Sequence, residues 1–163
     1  MDTLKLSELI GQEIEDLRFH YIPENEYGLQ SFHTYIKLAN NWIIDIPKYD
    51  DDDYLNLTYD NLDYYKKMFE AGKSVPDKLK TSFAGQTILD FYFSYDGDEV
   101  DFDQSAFIKL SNNLYLSENN FGPMGLTTID LIIFNEEQFT AEVQRLKDNE
   151  IEVRSFLNTK NAG

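Results

Sequence analysis

The sequence predicts an α+β fold: a tandem duplication of a four-stranded antiparallel meander followed by a helix, the two copies packed as one pseudo-symmetric body. Three observations predict it. An internal repeat runs through the 163 residues. Within each copy, apolar residues alternate at the strand period and then switch to the helical one. Turn and cap residues stand at matching places in both copies.

Self-similarity at a fixed spacing decides the architecture, so it comes first. Gly11-Gln-Glu-Ile-Glu-Asp-Leu-Arg-Phe-His-Tyr21 matches Gly85-Gln-Thr-Ile-Leu-Asp-Phe-Tyr-Phe-Ser-Tyr95 at an offset of 74. Tyr35-Ile-Lys-Leu-Ala-Asn-Asn41 matches Phe107-Ile-Lys-Leu-Ser-Asn-Asn113 at an offset of 72. Upstream, Asp2–Ser7 faces Asp77–Ser82, and downstream a helix start at Asp60 faces one at Asn135, both at 75. The order of blocks is kept, and the change of offset falls between strands, where a loop absorbs it at little entropic cost. The division that follows is residues 1–75 for the first ββββα repeat, 76–150 for the second, and 151–163 for a C-terminal strand and frayed tail, with Pro76 as the seam.

In the first strand of each copy Leu17, Phe19 and Tyr21, and Phe91, Phe93 and Tyr95, alternate with more polar neighbours. In the second, Phe32, Ile36 and Leu38 share a face, as do Ile108 and Leu110, opposite His33, Tyr35 and Lys37. Asn40-Asn41 and Asn112-Asn113 mark tight turns, since Asn tolerates the left-handed conformation. A three-residue loop with a bulge is expected there, because it places Trp42, Ile44 and Ile46 with Leu38 and Ile36. Tyr54–Tyr59 and Thr128–Phe134 are the expected fourth strands, the latter apolar enough for burial on both faces. Asp60 is the expected cap of a helix with the stripe Leu62, Tyr65 and Phe69, ended by Gly72. Asn135 with Gln138 caps its counterpart, whose stripe is Phe139, Val143 and Leu146. Glu150–Phe156 reads as a last strand.

Pairing the apolar faces sets Leu17 opposite Ile36, Tyr21 opposite Phe32, Asp16 opposite Lys37, and Asp90 opposite Lys109. The two Asp–Lys pairs read as cross-strand ion pairs. The same register opposes His20 and His33, where the second copy has Ser94 and Ser105. With Glu24 or Glu26 from the connecting loop they make the candidate metal ligands of this chain. Strict alternation puts Ile14, Ile88, Tyr92 and Phe107 on this face, so either the other copy or a ligand is expected to cover it.

Composition narrows the function. Thirty acidic against 14 basic residues leave a formal charge of −16, and there is no cysteine. That disfavours nucleic acid and anionic membranes as partners and removes thiolate chemistry. No signal-peptide pattern and no run of 18 apolar residues is present, and the expectation is a cytoplasmic protein, monomer or homodimer. Phosphate-cradle, zinc-helix and nucleophile-elbow motifs are missing, so no cofactor and no catalysis are expected.

The acid is unevenly placed. Residues 1–75 and 76–163 each hold 15 acidic and 7 basic side chains, yet in different loops. Asp50, Asp51, Asp52 and Asp53, flanked by Tyr49 and Tyr54, fill the third connection of the first copy. Asp96, Asp98, Glu99, Asp101 and Asp103 crowd the first connection of the second. Neither run matches a calcium loop, because the sixth place holds Leu55 or Asp101 rather than Gly. These eleven residues are the candidate contacts of a non-enzymatic binding module for a basic protein such as a nuclease, as in inhibitor and immunity proteins. A small-ligand or metal-binding domain on the His20/His33 face is the second expectation, and a scaffold or oligomerisation module the third.

Overall fold

The computed structural model describes residues 3–22, 31–45, 56–75, 77–100, 106–121 and 128–158, with side chains described for 5–18, 34–44, 63–75, 77–98, 106–117 and 132–158. The first half holds β1 (Thr3–Lys5), α1 (Leu6–Leu9), β2 (Ile14–Ile22), β3 (Ser31–Leu38), β4 (Ile43–Asp45), β5 (Asn56–Thr58), α2 (Tyr59–Ala71) and β6 (Lys73–Ser74). The second holds α3 (Asp77–Lys80), β7 (Ile88–Asp96), β8 (Glu99–Val100), β9 (Phe107–Leu110), β10 (Tyr115–Phe121), β11 (Thr128–Phe134), α4 (Glu136–Asp148) and β12 (Glu152–Ser155).

Two antiparallel sheets and a short ladder result. One sheet has the order β4-β3-β2-β6, the other β11-β10-β9-β7-β12 with β8 added to the end of β7, and β1 pairs with β5 alone. The β7-β9-β10-β11 run and the helix after it are the expected meander. In the first half the fourth strand departs from expectation: β5 pairs with β1, Leu4 opposite Leu57, and Tyr59 already opens the helix. Four consecutive aspartates precede it in sequence, and Asp is a poor strand former that offers no apolar face. Asp60 therefore stands in the first turn of α2 rather than at its cap. Both helices are followed by a strand that returns to the edge of the first strand, β6 on β2 and β12 on β7; two residues at Lys73–Ser74 are too few for a periodic signal.

The hairpins close on three-residue loops, as the asparagines require. Asn41 and Asn113 have φ of 74° and 65°, and Leu38 N–H donates to Trp42 O as Leu110 N–H does to Leu114 O, each at 2.8 Å. Asn40 and Asn112 side chains accept from the Trp42 and Leu114 amides at 3.1 and 3.3 Å. Ile36 is thereby opposed to Ile44.

Inner faces of both sheets share one core: Leu17, Ile36, Leu38 and Ile44 from one, Phe91, Phe93, Ile108, Leu110 and Leu116 from the other. Leu6 and Leu9 of α1, Phe83 after α3, and Val75 close it. On the outer face of the first sheet, Tyr65, Met68 and Phe69 of α2 pack on Tyr35 and Ile43. On that of the second, Phe139 and Val143 of α4 pack on Tyr92, Phe107, Tyr115 and Phe134. Four layers follow, helix, sheet, sheet, helix. The face expected to await the other copy or a ligand is covered by each half's own helix. β11 is an edge strand, and Ile132, Ile133 and Phe134 are half-buried rather than enclosed on both sides.

A bulge overturns one expectation in both halves. The register slips between Ile14 and Asp16, and again between Ile88 and Asp90. One extra residue reverses the alternation, so Ile14 and Ile88 turn into the shared core, each fully buried, instead of joining Tyr92 and Phe107.

The halves meet where β2 and β7 begin. Glu13 and Thr87 form an antiparallel bridge. Around it Gly11 N–H donates to Ile88 O and Gly85 N–H to Ile14 O, both at 2.8 Å. Ile14 N–H donates to Gln86 O at 2.8 Å, and Ile88 N–H to Gln12 O at 2.9 Å. Each bond has a mate at an offset of 74 in both partners, the reciprocity of a two-fold interface. Gly11 and Gly85 make the turns into it with φ of 89° and 81°.

Candidate functional site

The acidic candidates divide by position. Tyr49, Asp50, Asp51, Asp52, Asp53, Tyr54, Asp101 and Asp103 lie outside the described residues, as do Glu24 and Glu26. Asp96 and Asp98 are described and exposed, and Glu99 is placed by its backbone in β8. They belong to a hairpin in which Tyr95 opposes Val100 and Asp96 opposes Glu99. Gly97, with φ of 64°, opens its two-residue turn, the place where a type II′ turn needs a residue without Cβ.

One cation holds this hairpin. Arg154 comes from β12, whose pairing sets it opposite Phe93. Its guanidinium lies 4.4 Å from the Tyr95 ring centroid. Nη2 donates to Gly97 O at 3.0 Å and to a Glu152 carboxylate oxygen at 3.0 Å. The Glu152 bond, together with the nearby Tyr95 and Asp98 charges, keeps the guanidinium more firmly protonated than usual. The contact with the Tyr95 ring and the bond to Gly97 O tie the turn to β12, a combination that the point charge of a lysine would not reproduce. Of the carboxylates at this hairpin, that of Glu152 bonds the guanidinium and that of Asp98 lies near enough to act on its charge.

The histidine register is as expected: His20 and His33 are opposed in the β2–β3 ladder. Two strand positions provide two ligands at most, and the expected third sits outside the described residues. Among the described residues no group of three His, Cys, Asp or Glu side chains is placed to hold a metal. Close by, α2 occupies the sheet face, leaving Tyr35 only 4% exposed. Ser94, the counterpart of His20, is opposed to Val153 of β12 on the other side of β7, and Ser105, the counterpart of His33, lies outside the described residues.

The Asp–Lys pairs keep their register but form no ion pair. Asp16 opposes Lys37 and Asp90 opposes Lys109. At the bulge each carboxylate folds back onto the next amide, Leu17 N–H at 2.9 Å and Phe91 N–H at 2.8 Å. Asp16 then meets Lys80 at 3.6 Å and Arg18 at 3.8 Å, while Lys37 turns to Glu15 at 3.5 Å and Lys109 to Glu136 at 3.9 Å. Asp90 is buried and accepts from the Ser155 hydroxyl and from Leu157 N–H at 3.2 Å. Ser155 in turn accepts from Asn158 N–H at 3.2 Å.

Sequence reasoning missed three of these groups. Arg154 and Ser155 act across 57 and 65 residues of chain, and Arg18 across 51: it donates to Phe69 O at 3.3 Å at the end of α2 and lies 4.5 Å from the Phe69 ring. A cation at a helix C-terminus complements the exposed carbonyls, but no local pattern announces a partner so distant.

No helix among the described residues is long and apolar enough to cross a membrane. Comparison with protein-family models, curated proteins and solved structures finds no match to this chain.

Proposed function

We propose that the chain is an internally duplicated, non-enzymatic binding module that engages a basic protein through its acidic loops, as an inhibitor or immunity protein neutralises a nuclease. The observation that carries the reading is the hairpin at Asp96–Glu99: exposed carboxylates on a turn fixed by Arg154 before any partner arrives. Preorganised charge steers association and costs little to order. The duplication is supported by junction hydrogen bonds, bulges and hairpin loops that recur at the sequence offsets. On that scaffold the acid runs Asp50–Asp53 and Asp96–Asp103 face only Glu118, and Glu24 and Glu26, in the opposite copy, which is the pattern of loops specialised after duplication.

Capture from native lysate at low salt should yield a basic protein that high salt releases. Against that protein, replacing Asp50–Asp53 with Asn should slow association and flatten its salt dependence. On-rates unchanged at low salt would sink the reading. The direct opposition of His20 and His33 favours a second one, a metal-binding face. Stoichiometric metal in protein purified without a histidine tag, lost in His20→Ala, would support it.

A further inference from the structure

The surface on which the two halves meet is its own mate. Glu13 opposes Thr87, its counterpart at the offset of 74, so this bridge lies on the axis that relates the halves. The bonds that flank it, Ile14 N–H to Gln86 O and Ile88 N–H to Gln12 O, interchange under the same offset. From Gly11 to Ile14 and from Gly85 to Ile88 the two segments differ only at the axial residue. The core behind them is built the same way: Ile14 and Ile88, Leu17 and Phe91, and Leu38 and Leu110 are buried together as matched pairs. Reciprocal contacts are the property of an isologous subunit interface, and a continuous apolar core across them is that of an obligate dimer.

We propose that this junction is a dimer interface carried within one chain, and that a second copy of the chain occupies it by exchange of halves, the first half of each copy closing on the second half of the other. The proposal stands apart from the basic-partner reading, because it needs no foreign protein. Contacts across the junction are the same in the closed monomer and in the exchanged dimer, so the covalent link chooses between them. That link is short: Val75 is buried in the core, Asp77 opens α3, and in sequence Pro76 alone stands between them. Joined halves meet at an effective concentration on the order of millimolar. A second copy therefore competes when chains fold at a comparable concentration, and the dimer so formed persists on dilution, because its cores must open before it reverts. Deleting Pro76 draws the Cα atoms of Val75 and Asp77 from a span of up to about 7 Å to one of about 3.8 Å. Within one chain the halves cannot then keep both places, whereas two chains absorb the shortening by turning relative to one another.

The chain has no cysteine, so full-length Glu13→Cys and full-length Thr87→Cys form disulfides only between copies. The ladder bonds flank this pair rather than join it, which sets the Cα atoms about 4.5 Å apart, within disulfide range. The other bonds at the two positions, Ala39 N–H to Glu13 O and Ser111 N–H to Thr87 O, are main-chain ones and survive the substitutions. The two variants, unfolded together in urea, refolded at about 1 mM, diluted and mildly oxidised, should give the disulfide between positions 13 and 87 severalfold over those joining 13 to 13 and 87 to 87. Folded apart and then mixed, they should give severalfold less of it. Deletion of Pro76 from both should raise its yield severalfold at a given concentration and move the native mass, read by light scattering, to that of a dimer. A yield no greater than that of the like-to-like disulfides, or the same yield from chains folded apart, would each overturn the proposal. So would a folded Pro76 deletion that stays monomeric; if circular dichroism shows that deletion to be unfolded, the two refolding experiments decide.

Discussion

Asp90 and Asp16 are the same residue at the same bulge in the two halves, and their removal should not cost the same. Asp90 is 7% exposed and accepts from Phe91 N–H, the Ser155 hydroxyl and Leu157 N–H. Hydrogen bonds to a charged group contribute about 1.5–3 kcal/mol each, and a buried donor left unpaired costs about 1–3 kcal/mol. Part of this is offset by no longer desolvating a carboxylate. Asp90→Ala should therefore lower stability by about 3 kcal/mol, with Ser155 and the Leu157 amide losing their acceptor. The Asp16 side chain is 18% exposed, and its ion partners Lys80 and Arg18 are 44% and 31% exposed. Solvated pairs of this kind are worth at most about 1 kcal/mol, so Asp16→Ala should cost about 1–1.5 kcal/mol once the Leu17 amide bond is included. Urea unfolding should show the difference as a lower midpoint at unchanged slope. By heat, about 2 kcal/mol corresponds to roughly 4–8 °C for a chain of this size. A double-mutant cycle between Asp90→Ala and Ser155→Ala should return a coupling of about 1 kcal/mol or more. Equal costs for the two aspartates, or additivity in that cycle, would refute the assignment of Asp90 as the tie that holds the C-terminal strand.

Three other outcomes follow from the same structure. Ile14→Ala and Ile88→Ala should each lose about 3 kcal/mol and agree within about 1 kcal/mol, since both are fully buried mates across the junction; denaturation midpoints check this. Asn135→Ala should cost about 1 kcal/mol by removing the side chain that accepts from Gln138 N–H at 2.8 Å, read by the same titration. Burial and the hydrogen bond from its hydroxyl to Glu136 push the Tyr115 phenol above its ordinary range. The folded form thus favours the neutral phenol: its contribution is complete below about pH 10 and is lost as pH rises towards the folded value. Tyr115→Phe should accordingly flatten the alkaline fall in stability measured between about pH 9 and 11.

Much of this architecture was legible because it rests on local chemistry repeated twice. Alternation along β2 and β7, the Asn-Asn loops, the Asn135–Gln138 cap and the Leu17–Ile36 register are all short-range consequences of residue type, and the repeat supplied each observation with a replicate. The acidic hairpin at Asp96–Glu99 was legible as a charge cluster. Its anchor was not, because Arg154 reaches it from a strand that only the folded sheet brings alongside.

What tertiary structure decided lies where a single displaced residue or a distant partner overrides local preference. One extra residue at each bulge carried Ile14 and Ile88 from the outer face to the shared core, and turned Asp16 and Asp90 away from the lysines that oppose them. Packing set α2 and α4 over the sheet faces, where alternation alone left apolar side chains waiting for a cover. Pairing with β1 set the place of the first half's fourth strand. Period, turn chemistry and charge are properties of a segment by itself, so the sequence determines them; coverage, register slips and long-range ties depend on which surfaces meet, and that is settled only when the two halves close on one core.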